Sequence, residues 1–226
     1  TDSGGGTVEI QHATQSDVIT THSDGSAHTV VLSAIMPANL TQGQTVDCRI
    51  DRVGNNAAGT VITKSDILAS NADMRVQVTI GGTVYSATLK EALTATTIAA
   101  KHIWREGALC TEYKDIWMQL EDSGSTQHPH LHARFQIAGF WDGQAAAATV
   151  TDARIRCTIE NTRLYEDING ASNTFQKFTA SNITMEITDS GGTFNRTVVN
   201  ENSVEIPRQG RITRYGFWSA TGSIGK

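Results

Sequence analysis

The chain has 226 residues, 38% of them hydrophobic and 18% charged, with a net charge of −5. That length predicts a single domain, 1–226, able to bury roughly 70% of the surface its unfolded chain exposes, so no disulfide or metal staple is required. The acidic balance and the absence of a basic stripe argue against a nucleic-acid partner, and no apolar segment is long enough for a membrane-spanning helix.

The low apolar content is made up by Thr, Ser, Ala, Asn, Gln and 20 Gly, a mixture that suits exposed antiparallel sheets and tight turns. The cysteines Cys48, Cys110 and Cys157 are odd in number and widely spaced, which is not a disulfide framework. Cys48 and Cys157 lie in strand-like runs and read as small buried apolar residues. Residues 1–6 and 219–226 are linker-like, and the chain reads as a processed product or the ordered part of something longer.

In chain order, Thr7 to Ala13 and Val18 to His22 are short strands, with a turn at Ser23-Asp24-Gly25-Ser26. His28 to Met36 is the first strongly apolar strand and ends at Pro37; Thr45 to Ile50 alternates Val46, Cys48 and Ile50. Arg75 to Ile80 and Thr83 to Leu89 form a hairpin, because Gly81-Gly82 supplies the two positive-φ positions of a two-residue turn. Lys90 to Ala100 is the one helix expected, one or two turns long. Ile116 to Leu120, His128 to Ile137 and Val150 to Asn161 follow as strands. Ile183 to Thr188 and Thr193 to Val199 make a second hairpin, and Arg211 to Trp218 is the last strand. Many short strands without a βαβ rhythm predict an all-β fold, an antiparallel two-sheet β-sandwich of jelly-roll type. The expected core contains Val30, Leu32, Val76, Val78, Ile80, Leu131, Phe135, Ile137, Ile155, Cys157 and Ile159.

The most distinctive stretch is His128-Pro129-His130-Leu131-His132, continuing to Ile137. Successive side chains of a strand point to opposite faces. His128, His130, His132, Arg134 and Gln136 therefore share the polar face, with same-face neighbours about 6.5–7 Å apart. Two imidazoles at i and i+2 can share one metal if a neighbouring strand supplies a third ligand, which makes His130 and His132 metal candidates. The alternative ranked above it is a solvated or interface face in which Arg134 pairs with a cross-strand Glu. Pro129 marks either the first residues of its strand or a sheet edge, and a contact through the three imidazoles would depend on pH between about 5 and 7.

Trp104 and Glu112 lie in a segment, His102 to Tyr113, dense in distinctive residues. Trp117 reads as core. Trp141, at the turn Phe140-Trp141-Asp142-Gly143, reads as exposed and able to stack on a sugar ring. His128, His130, His132, Arg134, Trp104, Glu112 and Trp141 are thus the candidate ligand or interface residues. The acceptor patterns at Asn39, Asn182 and Asn195 carry no weight in a chain so rich in Asn and Thr. No nucleophile elbow, zinc-protease pattern or phosphate loop is present. The acidic pairs Glu121-Asp122 and Glu166-Asp167 do not by themselves make a glycosidase. No enzyme activity and no cofactor are expected.

Gly107-Ala108-Leu109-Cys110-Thr111-Glu112-Tyr113, His128 to Phe135, Ile159-Glu160-Asn161-Thr162 and the closing strand Arg214-Tyr215-Gly216-Phe217-Trp218 resemble a β-sandwich segment of tailed-bacteriophage virion and tail-associated proteins. That segment is similar in outline to the β-sandwich part of exo-rhamnogalacturonan-lyase-like proteins. The resemblance spans residues 100–218 and carries over no catalytic residue. It implies a structural or adhesin component of a virion or tail, extracellular, whose partners are copies of itself, other virion proteins and host polysaccharide. The alternative is a carbohydrate-binding module or a non-catalytic part of a polysaccharide-degrading enzyme.

Overall fold

The computed structural model describes residues 14–34, 59–143, 145–162, 178–207 and 210–222. The strands expected at Thr7 to Ala13 and Thr45 to Ile50, with Cys48, Asn39 and the Glu166-Asp167 pair, lie outside them.

Eleven strands, two short α-helices and one 3-10 turn make up the described fold. β1 (Thr14–Thr21) and β2 (Ala27–Ala34) form a separate two-stranded ribbon. Nine strands form one sheet: β3 (Met74–Ile80), β4 (Thr83–Thr88), β5 (Ile103–Arg105), β6 (Cys110–Glu121), β7 (Gln127–Phe140), β8 (Asp152–Asn161), β9 (Phe178–Thr188), β10 (Phe194–Ile206) and β11 (Arg211–Ser219). Their order is β10-β9-β3-β4-β6-β7-β8-β11, with β5 beside β6, and every pairing is antiparallel.

The all-β antiparallel class is the one the residue pattern predicts. The connectivity is a single, nearly closed sheet, because its end strands β10 and β11 come together. Arg214 of β11 meets Glu201 of β10 at 2.7 Å. The indole N–H of Trp218 donates to the Asp189 carbonyl at 2.9 Å. Gly216 leaves room at the seam, since a Cβ there would lie 2.7 Å from Met74 Cε and 3.0 Å from Ile187 Cδ1.

Alternation builds the core. Met74, Val76 and Val78 of β3, Leu131, Phe135 and Ile137 of β7, Ile155, Cys157 and Ile159 of β8, and Ile183 and Met185 of β9 belong to one cluster with no solvent exposure. Ile80 packs against it only partly buried. The β3–β4 hairpin turns where expected: Ile80 pairs with Thr83, and Gly81 and Gly82 take φ of 58° and 85°. The second hairpin turns on Asp189, whose carboxylate accepts from the Gly191 and Thr193 amides, both at 2.9 Å.

Several expectations are corrected. Val30 and Leu32 are 43% and 50% exposed, because among the described residues β2 pairs only with β1 and the ribbon stands outside the core. The helix at Lys90 is α2 (Leu89–Ala95), and a second helix, α1 (Lys64–Ala69), was not anticipated. Both start at a reciprocal capping box, Thr63/Asp66 and Thr88/Glu91. β7 is paired on both sides, by β6 and β8, so Pro129 marks the strand's first residues and not an edge. At the other end of the chain β11 runs through Ser219, and the Ala220 amide donates to the Thr151 carbonyl. The sheet therefore reaches into residues read as a linker.

Candidate functional site

The His row separates at its first member. The β6–β7 register shifts between Gln119 and Glu121, which pair with His132 and Gln127. His128 turns inward at this irregularity, where it is buried and edge-on to Tyr85 and Phe178 with ring centroids 4.8 Å away in both cases. Its Nδ1 accepts from the amides of His130 and Leu131 at 3.2 and 3.1 Å, holding the backbone where the ladder is interrupted. Burial, with His130 and His132 nearby, lowers the His128 pKa.

From His130 on, the alternation holds. His130 stacks on Phe178 at 6.1 Å. His132 shares a hydrogen bond with Thr162 Oγ1 at 3.1 Å and lies 6.0 Å from Trp117. Burial lowers its pKa as well. Both shifts move imidazolium formation below its usual range, so a charge switch through these residues would act at lower pH than expected for free imidazoles. Among the described residues no group of three or more His, Cys, Asp or Glu is placed to hold a metal.

The outward faces of β6, β7, β8 and β11 form a continuous surface of arginines and aromatic rings. The register places Trp117 beside Arg134, Gln136 beside Arg156, Arg156 beside Tyr215, and Arg154 beside Phe217. The Arg134 guanidinium lies 4.2 Å over the Trp117 ring, and that of Arg156 lies 5.7 Å from the Tyr215 ring. Tyr215 and Phe217 are each 53% exposed.

Two carboxylates fix most of the arginines. Glu112 is buried and meets Arg105 and Arg154, both at 3.4 Å, and accepts from the Gln136 amide. Glu160 meets Arg134 at 3.3 Å and Arg211 at 3.1 Å. Arg134 also reaches Asp115 at 3.6 Å. The Asp115 carboxylate is presented by a bulge. Tyr113 and Ile116 pair with Ile137 and Phe135, which leaves one residue extra on β6, and Asp115 takes φ of 55°. Several of these contacts are close enough for charge attraction but poorly aligned as hydrogen bonds, so Arg105 Nε and Glu160 Oε1 count as unsatisfied despite their ionic neighbours.

Arg156 shares a buried, unsatisfied Nε with Arg105 and Arg134, but unlike them it has no carboxylate partner among the described residues. It lines two neighbouring depressions. The larger, about 150 Å³, is walled by Glu112, Gln136, Arg154 and Tyr215. The smaller, about 50 Å³, is walled by Asp115, Arg134, Phe135, Gln136 and Thr158.

Of the candidates read from sequence, Arg134 and Glu112 belong to this surface, and the expected pairing of Arg134 with a cross-strand Glu is present. Trp104 lies on β5, 42% exposed, with the Lys114 ammonium 5.0 Å from its ring. The assignments of two tryptophans are reversed. Trp117 is 39% exposed, whereas Trp141 packs against the core and donates its indole N–H to the Ala145 carbonyl at 3.0 Å. Arg156 and Tyr215 were missed as site residues. Their signal was the outward phase of β8 and β11, which made them surface residues without saying that the two strands are neighbours. Comparison with protein-family models, with curated proteins and with solved structures finds no match to this chain.

Proposed function

We propose that this chain is a recognition module and not an enzyme: a structural or adhesin component of a phage virion or tail whose β6–β7–β8–β11 face contacts host-surface glycan. The observation that carries the glycan reading is the diagonal band across four adjacent strands in which Trp117 pairs with Arg134 and, one same-face step along, Arg156 pairs with Tyr215. Aromatic rings offer flat apolar surfaces to the C–H faces of sugars, and guanidinium forks donate to hydroxyls and carboxylates. Glu112 and Glu160 are each held between two arginines, which suits them to positioning those guanidinium heads. Sites on paired strands hold such groups more rigidly than loops do. The virion setting rests on the sequence resemblance alone.

The test is a glycan array probed with the purified chain, alongside the double variant Trp117→Ala/Tyr215→Ala. Binding that the double variant loses supports the reading. No binding to any glycan, or binding untouched by the double variant, rejects this face as the contact surface. Incorporation of the chain into a symmetric particle or filament separates the virion reading from a free carbohydrate-binding module, which would remain soluble and monomeric.

A further inference from the structure

We infer that Arg156 is the anion-recognising centre of this face, and that the glycan it takes is acidic, carrying a carboxylate on its sugar ring. The inference deepens the glycan reading and rests on it.

The argument is one of unmet hydrogen-bonding capacity. A guanidinium has five N–H donors in a planar fork and keeps its charge at any physiological pH. Arg105, Arg134, Arg154 and Arg211 on this face each meet a carboxylate. Arg156 meets none among the described residues, and its guanidinium lies 5.7 Å from the Tyr215 ring. Its Nε is shielded from water and donates to nothing, as is true of Arg105 and Arg134, so what sets Arg156 apart is the lack of a counter-charge. A guanidinium without a counter-charge can offer its remaining N–H donors to an incoming anion.

The surroundings select the acceptor. Arg156 borders both depressions, and Gln136 stands at the wall they share. Glu112 cannot supply the missing carboxylate, because it is already engaged by Arg105, Arg154 and Gln136. A planar carboxylate matches the fork in a two-point contact, which a hydroxyl cannot make. Tyr215, half exposed beside it, gives the ring that bears the carboxylate a flat surface to rest on.

The experiment is calorimetric titration of the whole chain with a tetrasaccharide of glucuronic acid and with its methyl ester, which keeps the sugar and removes the charge. Wild-type protein is expected to bind the acid at least about tenfold more tightly than the ester, the scale of a charge-assisted hydrogen bond. Arg156→Gln should abolish that preference, so that the acid and the ester bind it equally. Arg156→Lys, which keeps the charge and loses the fork, should fall between. Equal binding of acid and ester by wild type, or an unchanged preference in Arg156→Gln, overturns the assignment of Arg156 while leaving a neutral-glycan face standing. Binding of neither sugar overturns the acidic-sugar inference, while the glycan array decides the glycan reading. Acetate or inorganic sulfate that displaces the tetrasaccharide with equal affinity marks a free-anion pocket and overturns the sugar part of the inference.

Discussion

At the scale of single residues, a buried carboxyl and two histidines respond to pH with opposite sign. Asp73 is 7% exposed, and its Oδ1 accepts from the Met74 and Lys90 amides at 2.8 and 3.1 Å. Burial outweighs those hydrogen bonds and pushes its carboxyl up to about 6. A carboxyl whose folded pKa lies above the unfolded value of about 3.9 favours folding when protonated, so its contribution is lost as pH rises through about 6. Asp73→Asn keeps Oδ1 and removes the titration. Its stability relative to wild type should rise by up to about 3 kcal/mol between pH 4 and pH 7, read from urea midpoints across that range; parallel curves would show that Asp73 does not titrate as described. The lowered pKa values of His128 and His132 act the other way, because the unfolded chain then takes up protons first. In the Asp73→Asn background stability should therefore fall as pH drops below about 6.5. Glu112 supplies a contrast within the arginine face. Glu112→Gln leaves the largely buried Arg105 without its counter-charge and should cost about 3 kcal/mol or more. Arg211→Gln, whose side chain is 63% exposed, should cost under about 1 kcal/mol. Thermal or chemical denaturation of the pair checks the ordering.

At the scale of elements, the β1–β2 ribbon is the informative case. A two-stranded ribbon is marginal alone, and this one is anchored by Gln15. Its carboxamide oxygen accepts from the Leu109 and Cys110 amides at 3.0 and 2.9 Å, and its nitrogen donates to the Cys110 carbonyl at 2.8 Å. Arg105 adds a hydrogen bond to Ser33 at 2.9 Å. The Gln15 amide occupies the space a Cβ on Gly107 would need, with its atoms 2.1–2.4 Å from that position. Gly107→Ala should therefore expel Gln15 and release the ribbon, seen as faster proteolysis within residues 14–34 while the nine-stranded sheet keeps its exchange protection. Gln15→Ala should give the same cleavage pattern. Unchanged protection in both variants would mean that the ribbon is held by something other than this residue.

At the scale of the whole molecule, closure of the sheet depends on the seam between β10 and β11. The Arg214–Glu201 pair there is 40% and 43% exposed, and exposed pairs contribute little. Trp218 is 3% exposed and ties β11 to the β9–β10 turn through its indole. Trp218→Ala should cost about 3–5 kcal/mol, and Arg214→Ala under about 1 kcal/mol. The comparison of their unfolding midpoints locates what closes the sheet; similar losses would assign closure to the ion pair instead.

Local periodicity and turn chemistry made the strands of the sheet, the Gly81-Gly82 hairpin and the inward residues of β3, β7 and β8 legible, because side-chain alternation and positive φ are properties of a few neighbouring residues. Legibility ended where phase or partner depended on distant chain. His128 left its predicted face because the ladder is interrupted beside it and its ring takes over two backbone hydrogen bonds. Val30 and Leu32 alternate like core residues, yet both are exposed, with no second layer over them among the described residues. Trp117 and Trp141 changed places because exposure is decided by what packs on top, not by the turn or strand that carries the ring. By itself the sequence determined an antiparallel all-β chain and the outward phase of its arginines. Tertiary structure alone decided that β6, β7, β8 and β11 lie side by side, and so which guanidinium of this face is left without a carboxylate among the described residues: ion pairing across strands depends on register between distant segments, which no local pattern encodes.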